Sequence, residues 1–213
     1  MKITEIRSLA ISDVKVVRFE RFADSRGYFT ELFRLNDFRT NELLKDSFKD
    51  AMILQQNESY SAPMVVRGLH FQWNPFMGKL VRTIQGRMID IVLDIRKGSP
   101  TFGKAIMHDM PSDPAKKENE WIWVPPGFAH GNFFTESTSI EYNCTGDYSP
   151  GCEAGISPLA ADIDWSLCDA DLLALFKATM SSGMIISDKD QAGLTLNEWV
   201  SDQRSDNFLF GKC

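Results

Sequence analysis

The chain has 213 residues, of which 43% are hydrophobic and 24% charged, and its formal net charge is −6. These values are typical of one large globular domain and exclude a disordered or repetitive chain. The negative charge argues against a general nucleic-acid surface, and no segment is apolar for long enough to span a bilayer. A few arginines around one pocket can still bind a small anion such as a diphosphate.

The N-terminal residues lack the continuous apolar stretch of a signal peptide. The four cysteines, all in the last third of the chain, contain no C-x-x-C pair, which fits a reducing compartment better than a disulfide framework or a zinc site. We therefore expect a cytoplasmic protein with no membrane segment.

In chain order, the first strands are predicted in "VKVVRFE" and "GYFTELF", which are rich in valine, phenylalanine and tyrosine and are separated by a turn-forming Asp-Ser-Arg-Gly cluster. The segment "LNDFRTNELLKDSF" has apolar residues at helical spacing and predicts one helix with Asn36 as its N-cap. In "KLVRTIQGRMIDIVLDIR", the pair Gln85-Gly86 lies between two alternating runs and predicts a tight hairpin.

Further strands are predicted up to about residue 145, and helices in "SLCDADLLALFKATM" and "TLNEWV". Short strands without regularly interleaved helices favour an antiparallel sandwich or barrel. We predict one mainly β domain over residues 1–213, with a barrel core at about 14–150 and a helical C-terminal cover at about 160–213.

The stretch "VVRGLHFQWNPFMGKLVR" places His70, one of three histidines, on an apolar strand. Strict alternation puts Arg67 on the opposite face from His70, unless a bulge at Gly68 brings both to one side. A histidine on a buried strand is most often a structural core residue. Alternation alone leaves the structural and the functional interpretation open.

The segment "WVPPGFAHGNF" resembles the second half of the cupin signature and would place His130 inside a small β-barrel. Metal-binding cupins also carry His-x-His in their first motif, whereas this chain has His70-Phe71-Gln72, so we expect no catalytic metal. We expect His108 to be a surface or rim residue. Tyr142 is a candidate acid, because a phenol facing a histidine across a barrel can supply a proton where the histidine removes one.

The blocks "DSRGYFTELF", "QQNESYS", "VVRGLHFQ", "GKLVR", "DIVLDIRKGSPTFGK", "WVPPGFAHG", "EYNCTGDYSPGCE" and "ISDKD" follow one another in this order. From about Phe19 to Trp199 the chain resembles the dTDP-4-dehydrorhamnose 3,5-epimerase family, cupin-fold enzymes of deoxysugar biosynthesis. The resemblance implies an antiparallel β-barrel of the jelly-roll type, a nucleotide-linked 4-keto-6-deoxyhexose as substrate, no cofactor and a homodimer.

By this resemblance His70 is the general base, Asp190 its carboxylate partner, and Tyr142 the acid on the opposite face. Lys79 and His130 line the sugar site, where a cation can stabilise an enolate oxygen. The other positions that match contacts to the nucleotide, the diphosphate or the pocket edge are Arg26, Glu31, Gln55, Gln56, Asn57, Arg67, Tyr148, Glu153 and Lys189.

Alternatives remain on the same fold. The enzyme could epimerise one carbon only, move the ketone between carbons 3 and 4, or act on a CDP- or GDP-linked sugar, because fold alone does not separate these reactions. A non-catalytic sugar-nucleotide sensor ranks lower, since base, acid and aspartate are all present. A metal-dependent cupin dioxygenase ranks lowest, because the His-x-His motif is missing.

Overall fold

Two antiparallel sheets face each other in the computed structural model, which describes residues 1–212. Sheet I has the strand order β1-β2-β9-β7-β11-β5, and sheet II the order β8-β7-β10-β6-β12; strand β7 belongs to both. The strands are β1 (Ile3–Ser8), β2 (Lys15–Glu20), β3 (Phe22–Asp24), β4 (Gly27–Phe29), β5 (Gln55–Ser61), β6 (Val66–Gln72), β7 (Lys79–Asp94), β8 (Ala105–Ser112), β9 (Glu118–Val124), β10 (Phe128–Phe134), β11 (Thr138–Cys144) and β12 (Glu153–Gly155). The mainly β, antiparallel fold predicted from the sequence is confirmed.

The predicted hairpin at Gln85-Gly86 is wrong, because β7 runs through it as one strand of 16 residues. Up to Gln85 the strand pairs with β9 and β11, and from Gly86 onward it pairs with β8 and β10. Gly86 has φ +86°, and a Cβ there would collide with the carbonyl oxygen of Ser137. The glycine therefore bends β7 from one sheet into the other. The bend interrupts the alternation of polar and apolar residues along the strand, and in the sequence this interruption resembles a turn.

Three apolar layers hold the sheets together. The layer between the two sheets contains side chains such as Val81, Val92 and Ile122. The outer face of sheet I packs on the short helices α1 (Leu35–Thr40) and α2 (Lys45–Phe48) through buried aromatic residues.

The outer face of sheet II packs on the C-terminal part of the chain, so the predicted helical cover is confirmed. This cover contains α3 (Ala170–Ser181), α4 (Asp188–Gln191), α5 (Leu196–Ser201) and a 3-10 helix (Gln203–Asn207). Phe71 of β6 lies 4.6 Å from the ring of Trp199 and 5.3 Å from that of Phe208. Each such aromatic pair contributes about 0.5–1.5 kcal/mol beyond its buried area. The contacts fix the cover on the strand that carries His70.

The helix predicted with Asn36 as N-cap is instead two short helices, α1 and α2. Arg34 precedes α1 as its N-cap residue and makes no side-chain capping bond, so Asn36 lies inside the first turn. Asn41 is extended, and its Oδ1 accepts the N–H of Leu43 at 2.9 Å. This local bond competes with the helical ladder and divides the segment.

Among residues 1–212, the longest helix has 12 residues, and no helix combines the length and the apolar character needed to cross a bilayer.

Candidate active site

A cavity of about 220 Å³ opens between the two sheets, with walls from β5, β6, β7, β10 and β11 and from helix α4. Six residues that the sequence singled out line it together: Arg67, His70, Lys79, His130, Tyr142 and Asp190. His70 and His130 come from sheet II, whereas Tyr142 comes from sheet I. The cavity therefore has a histidine wall and a phenol wall that face each other.

A bulge at Gly68 brings Arg67 and His70 to the same side of β6. In the pairing of β6 with β10, His70 lies opposite His130 and Arg67 lies opposite Asn132. Three residue steps along β6 therefore match two along β10, which is the pattern of a bulge. Gly68 has φ +112°, and a Cβ there would lie 2.6 Å from the Cα of Gly131. The position therefore requires glycine, and the bulge resolves the question that alternation left open.

His70 is paired with Asp190 across 120 residues of sequence: its Nε2 lies 2.7 Å from Asp190 Oδ1. The other carboxylate oxygen accepts the N–H of Gly68 at 3.1 Å. Burial opposes ionisation of Asp190, yet the pKa of this carboxyl lies below its usual value because of the hydrogen bonds from His70, Gly68 and Ser187. An ionised carboxylate only accepts, so Nε2 carries the hydrogen and Nδ1 keeps the lone pair that can take a proton.

His130 of the cavity wall belongs to a second histidine–aspartate pair. His130 Nε2 is 2.7 Å from Asp90 Oδ2, and both side chains are buried, at 8% and 0% exposure. Asp90 Oδ1 has no hydrogen-bond partner among residues 1–212. This pair belongs entirely to the strands β7 and β10 and is shielded from solvent.

Lys79 and Tyr142 have shifted pKa values. The Lys79 ammonium group lies inside the protein, although part of the residue is solvent-accessible, and burial lowers its pKa. Its Nζ donates to the carbonyl oxygen of His70 at 3.2 Å. Burial raises the pKa of Tyr142, while the charge of Arg67 acts in the opposite direction. Tyr142 therefore keeps its proton at neutral pH and can serve as an acid.

The rim of the cavity carries a polar network. Tyr148 donates its hydroxyl to Glu153 Oε1 at 2.9 Å, and Lys189 Nζ lies 2.8 Å from the same oxygen. Burial opposes ionisation of Glu153, but the bonds from Lys189 and Tyr148 lower its pKa overall. Gln55 accepts the backbone N–H of Tyr148 at 2.8 Å and donates to Asn57 at 3.0 Å. Glu153 and Lys189 line a second hollow of about 200 Å³ that adjoins His70 and Asp190.

Three predicted binding residues lie neither in the wall of the cavity nor in the polar network beside it. Arg26 lies at the tip of the β3–β4 hairpin and pairs with Asp24. Glu31 pairs with Arg34. Gln56 donates to Glu141 at 2.6 Å on the opposite face of sheet I, because neighbouring residues of a strand point to opposite sides.

His108 lies outside the cavity, and its side chain is only 13% exposed with Nε2 2.8 Å from Glu120 Oε1, so it is more enclosed than the predicted surface or rim residue. Among residues 1–212, no group of three or more histidine, cysteine, aspartate or glutamate side chains is arranged to hold a metal ion.

Two residues of the site were missed from the sequence. Asn132 lines the cavity beside His130, and alternation along β10 already assigns both to one face. Asp90 is a charge inside the apolar run "MIDIVLDI", and a buried charge of this kind needs a partner. The signal for Asp90 was present, but its partner His130 lies 40 residues away in sequence.

The chain is similar to known proteins over most of its length. The family model described as dTDP-4-dehydrorhamnose 3,5-epimerase matches residues 8–198. The dTDP-4-dehydrorhamnose 3,5-epimerase of Sinorhizobium fredii is 42% identical over 165 residues, which is 75% of this chain and 79% of the relative.

Two solved structures extend the comparison. The dTDP-6-deoxy-D-glucose-3,5-epimerase of Legionella pneumophila, in complex with dTDP-4-keto-L-rhamnose, has a TM-score of 0.74 and 32% identity, covering 91% of this chain and 93% of that chain. A 3′-monoepimerase from Streptomyces bikiniensis, in complex with dTDP-quinovose, has a TM-score of 0.69 and 25% identity, covering 90% and 87%.

Proposed function

The chain belongs to the dTDP-4-dehydrorhamnose 3,5-epimerase family, and from this premise we propose that it epimerises a nucleotide-linked 4-keto-6-deoxyhexose at carbons 3 and 5. The reaction is of the type that converts dTDP-4-dehydro-6-deoxy-D-glucose to dTDP-4-dehydro-L-rhamnose. One observation carries the proposal: a histidine–aspartate pair and a phenol face one cavity from opposite sheets. Inversion of a carbon needs a base on one face and an acid on the other.

In the proposed reaction His70 removes the proton from the carbon next to the ketone, and the C–H electron pair moves onto the ketone oxygen as an enolate. Asp190 holds the ring so that Nδ1 receives the proton. Tyr142 then gives a proton to the opposite face of the same carbon, which inverts it. Only protons move, so the chemistry itself calls for no redox cofactor.

The enolate oxygen must be stabilised as it forms, because a proton next to a ketone is far less acidic than an imidazolium. Lys79 is suited to this role, since its ammonium group is enclosed by protein and donates into the cavity wall. We assign His130 as a second donor in its imidazolium form, in which Asp90 accepts the Nε2 hydrogen and Nδ1 carries a hydrogen toward the cavity. An interaction of this kind acts strongly in a site from which water is excluded.

For the nucleotide part we assign Arg67 to the diphosphate, Tyr148 to stacking on the base, and Gln55 and Asn57 to polar contacts. Arg67 lines the cavity on the strand that carries His70, and its guanidinium donates to Ser61 Oγ and to the carbonyl oxygen of Tyr60. Tyr148 is 53% exposed at the rim, so one of its faces is accessible to a base. Glu153 and Lys189 form the edge of this region.

The binding roles of Arg26 and Glu31 require a second copy of the chain. The β3–β4 hairpin pairs with no other strand among residues 1–212 and exposes Phe22 at 45%, Tyr28 at 47% and Phe29 at 66%. Exposed aromatic residues on an unpaired hairpin are typical of an interface. We therefore propose a homodimer, in which this hairpin reaches the partner's cavity. Light scattering after gel filtration tests the dimer, and a purely monomeric protein with full activity would contradict it.

We assign the protein to the cytoplasm, because Cys144, Cys152 and Cys168 are free thiols, as expected in a reducing compartment. Cell fractionation tests this assignment.

The reaction is tested by incubation with dTDP-4-keto-6-deoxy-D-glucose in deuterated water, followed by mass spectrometry and NMR. Two deuterons, at carbons 3 and 5, are the expected result. One deuteron would make the protein a monoepimerase or a ketoisomerase, the first being the activity named for the Streptomyces bikiniensis protein. If exchange occurs only with a CDP- or GDP-linked sugar, the substrate carries that nucleotide and not dTDP. If no exchange occurs with any of these sugars, the enzymatic proposal is overturned.

A further inference from the structure

Asn132 is a polar side chain in the cavity wall that has no role in the reaction described above. It is 5% exposed, and its Oδ1 is buried without a hydrogen-bond partner among residues 1–212. A buried amide left unpaired typically costs about 1–3 kcal/mol. Such a group in a binding cavity is expected to find its partner in the ligand.

The neighbouring carboxylate shows which kind of partner is missing. Asp90 is the register partner of Asn132 between β7 and β10, and its Oδ1 is also buried and unpaired. Each of these two oxygens is an acceptor without a donor among residues 1–212, and only Asn132 lines the cavity itself. A sugar hydroxyl supplies an O–H donor and also two acceptor lone pairs for an amide N–H, whereas a ketone or a methyl group supplies no donor.

The position of Asn132 indicates which hydroxyl it meets. On β10 it lies two residues, about 6–7 Å, from His130, which pairs with the base His70. In the other direction across the sheet it pairs with Arg67, which we assign to the diphosphate. Asn132 is thus placed between the reacting carbons and the diphosphate on carbon 1. In the hexose, carbon 2 occupies that place.

From this placement we propose that Asn132 hydrogen-bonds the carbon 2 hydroxyl of the substrate and so selects sugars that carry this hydroxyl over their 2-deoxy counterparts. The inference rests on the proposed function, which supplies the orientation of the sugar. A site built to bond a hydroxyl rejects the analogue without it, because its own polar groups are then left unpaired.

The test compares deuterium incorporation at carbon 5 with three substrates: dTDP-4-keto-6-deoxy-D-glucose, its 2-deoxy analogue and its 3-deoxy analogue. For the unsubstituted protein, kcat/KM is expected to be about 10- to 100-fold lower for the 2-deoxy analogue than for the parent sugar. In Asn132→Leu this preference is expected to fall to about threefold or less. The preference against the 3-deoxy analogue should be the same in both proteins.

Asn143→Leu is the matched control, since Asn143 is equally buried at 5% but lies on β11 outside the cavity wall. It should keep the full preference for the carbon 2 hydroxyl. If the unsubstituted protein does not discriminate against the 2-deoxy analogue, or if Asn132→Leu retains the discrimination, the role of Asn132 is overturned. Failure of the parent sugar to exchange at all would overturn the proposed function instead.

Discussion

The two histidine–aspartate pairs of the cavity have the same 2.7 Å separation but different surroundings. His70 is 40% exposed and meets Asp190 from the C-terminal cover, whereas His130 is 8% exposed and meets Asp90 from the adjacent strand. One pair is open to the cavity and assembled from distant parts of the chain. The other is enclosed within sheet II.

This difference separates two tasks. A base that exchanges protons with a substrate needs an accessible ring and a partner that fixes its tautomer. A group that only stabilises a developing charge acts best where it is buried and cannot reorient. On these grounds we assign proton transfer to the His70 pair and stabilisation of the enolate to the His130 pair.

The largest expected effect on catalysis comes from removing His70, the histidine of the pair that is open to the cavity. His70→Ala should lower deuterium incorporation at both carbons by about 10³-fold or more, because general base catalysis typically contributes 10²–10⁴-fold and no other group takes over the proton. The measurement is exchange monitored by NMR with dTDP-4-keto-6-deoxy-D-glucose.

His108→Ala is the control, since His108 is also paired with a carboxylate but lies outside the cavity. It should exchange within a few-fold of the unsubstituted protein. Near-normal turnover by His70→Ala would refute the assignment of the base. It would also refute the assignment of proton transfer to the His70 pair and of enolate stabilisation to the His130 pair.

Tyr142→Phe tests the proposed acid on the cavity wall opposite the two histidines. The variant keeps the ring but loses the hydroxyl, so formation of inverted product should fall by about 10²-fold. Removal of substrate protons by the His70 pair should fall much less. Parallel measurement of product by NMR and of deuterium in recovered substrate separates the two steps, and an equal loss in both would assign Tyr142 to binding.

Much of this arrangement was predictable from the sequence. The mainly β fold followed from short, closely spaced strand patterns, and the resemblance assigned His70, Asp190 and Tyr142 before their proximity was known. Alternation alone left Arg67 and His70 on opposite faces, because a bulge depends on the close approach of Gly68 and Gly131 across two strands.

Other features depend on contacts that local pattern does not encode. Gly86 resembled a hairpin position, since only the flanking partners of β7 distinguish a bend between sheets from a turn. Asn36 resembled an N-cap, but α1 begins one residue earlier, at Leu35. The side chain of Asn41 then ends the helix early. Asp90 was overlooked because its partner is distant in sequence. Arg26 and Glu31 lie away from the cavity of their own chain, which no pattern within one strand predicts.

The two aspartates offer a third, more moderate test. In Asp190→Ala the exposed ring of His70 can bond to water, while the N–H of Gly68 loses its acceptor, so we expect some loss of stability together with a loss of about 10- to 100-fold in exchange rate from lost orientation. In Asp90→Ala the N–H of His130 is buried without a partner, so the free energy of unfolding should fall by about 1–3 kcal/mol. Urea unfolding measures the stability of both variants and exchange kinetics gives the contrast: a loss of exchange at least as large in Asp90→Ala as in Asp190→Ala would remove the distinction between the two pairs.

The smallest effect is a shift in pH dependence caused by Lys79. Burial lowers the pKa of Lys79 from the ordinary lysine value of 10.5 and raises that of Tyr142 above the ordinary tyrosine value of 10.0. If pH rises, Lys79 therefore loses its charge before a lysine in water would, while Tyr142 keeps its proton beyond pH 10. Lys79→Arg keeps the charge, because arginine stays protonated. The alkaline decline of kcat/KM should move to higher pH in this variant, with a change of only a few-fold at neutral pH. An unmoved alkaline limb would assign it to Tyr142 and leave the buried His130 pair as the main stabiliser of the enolate.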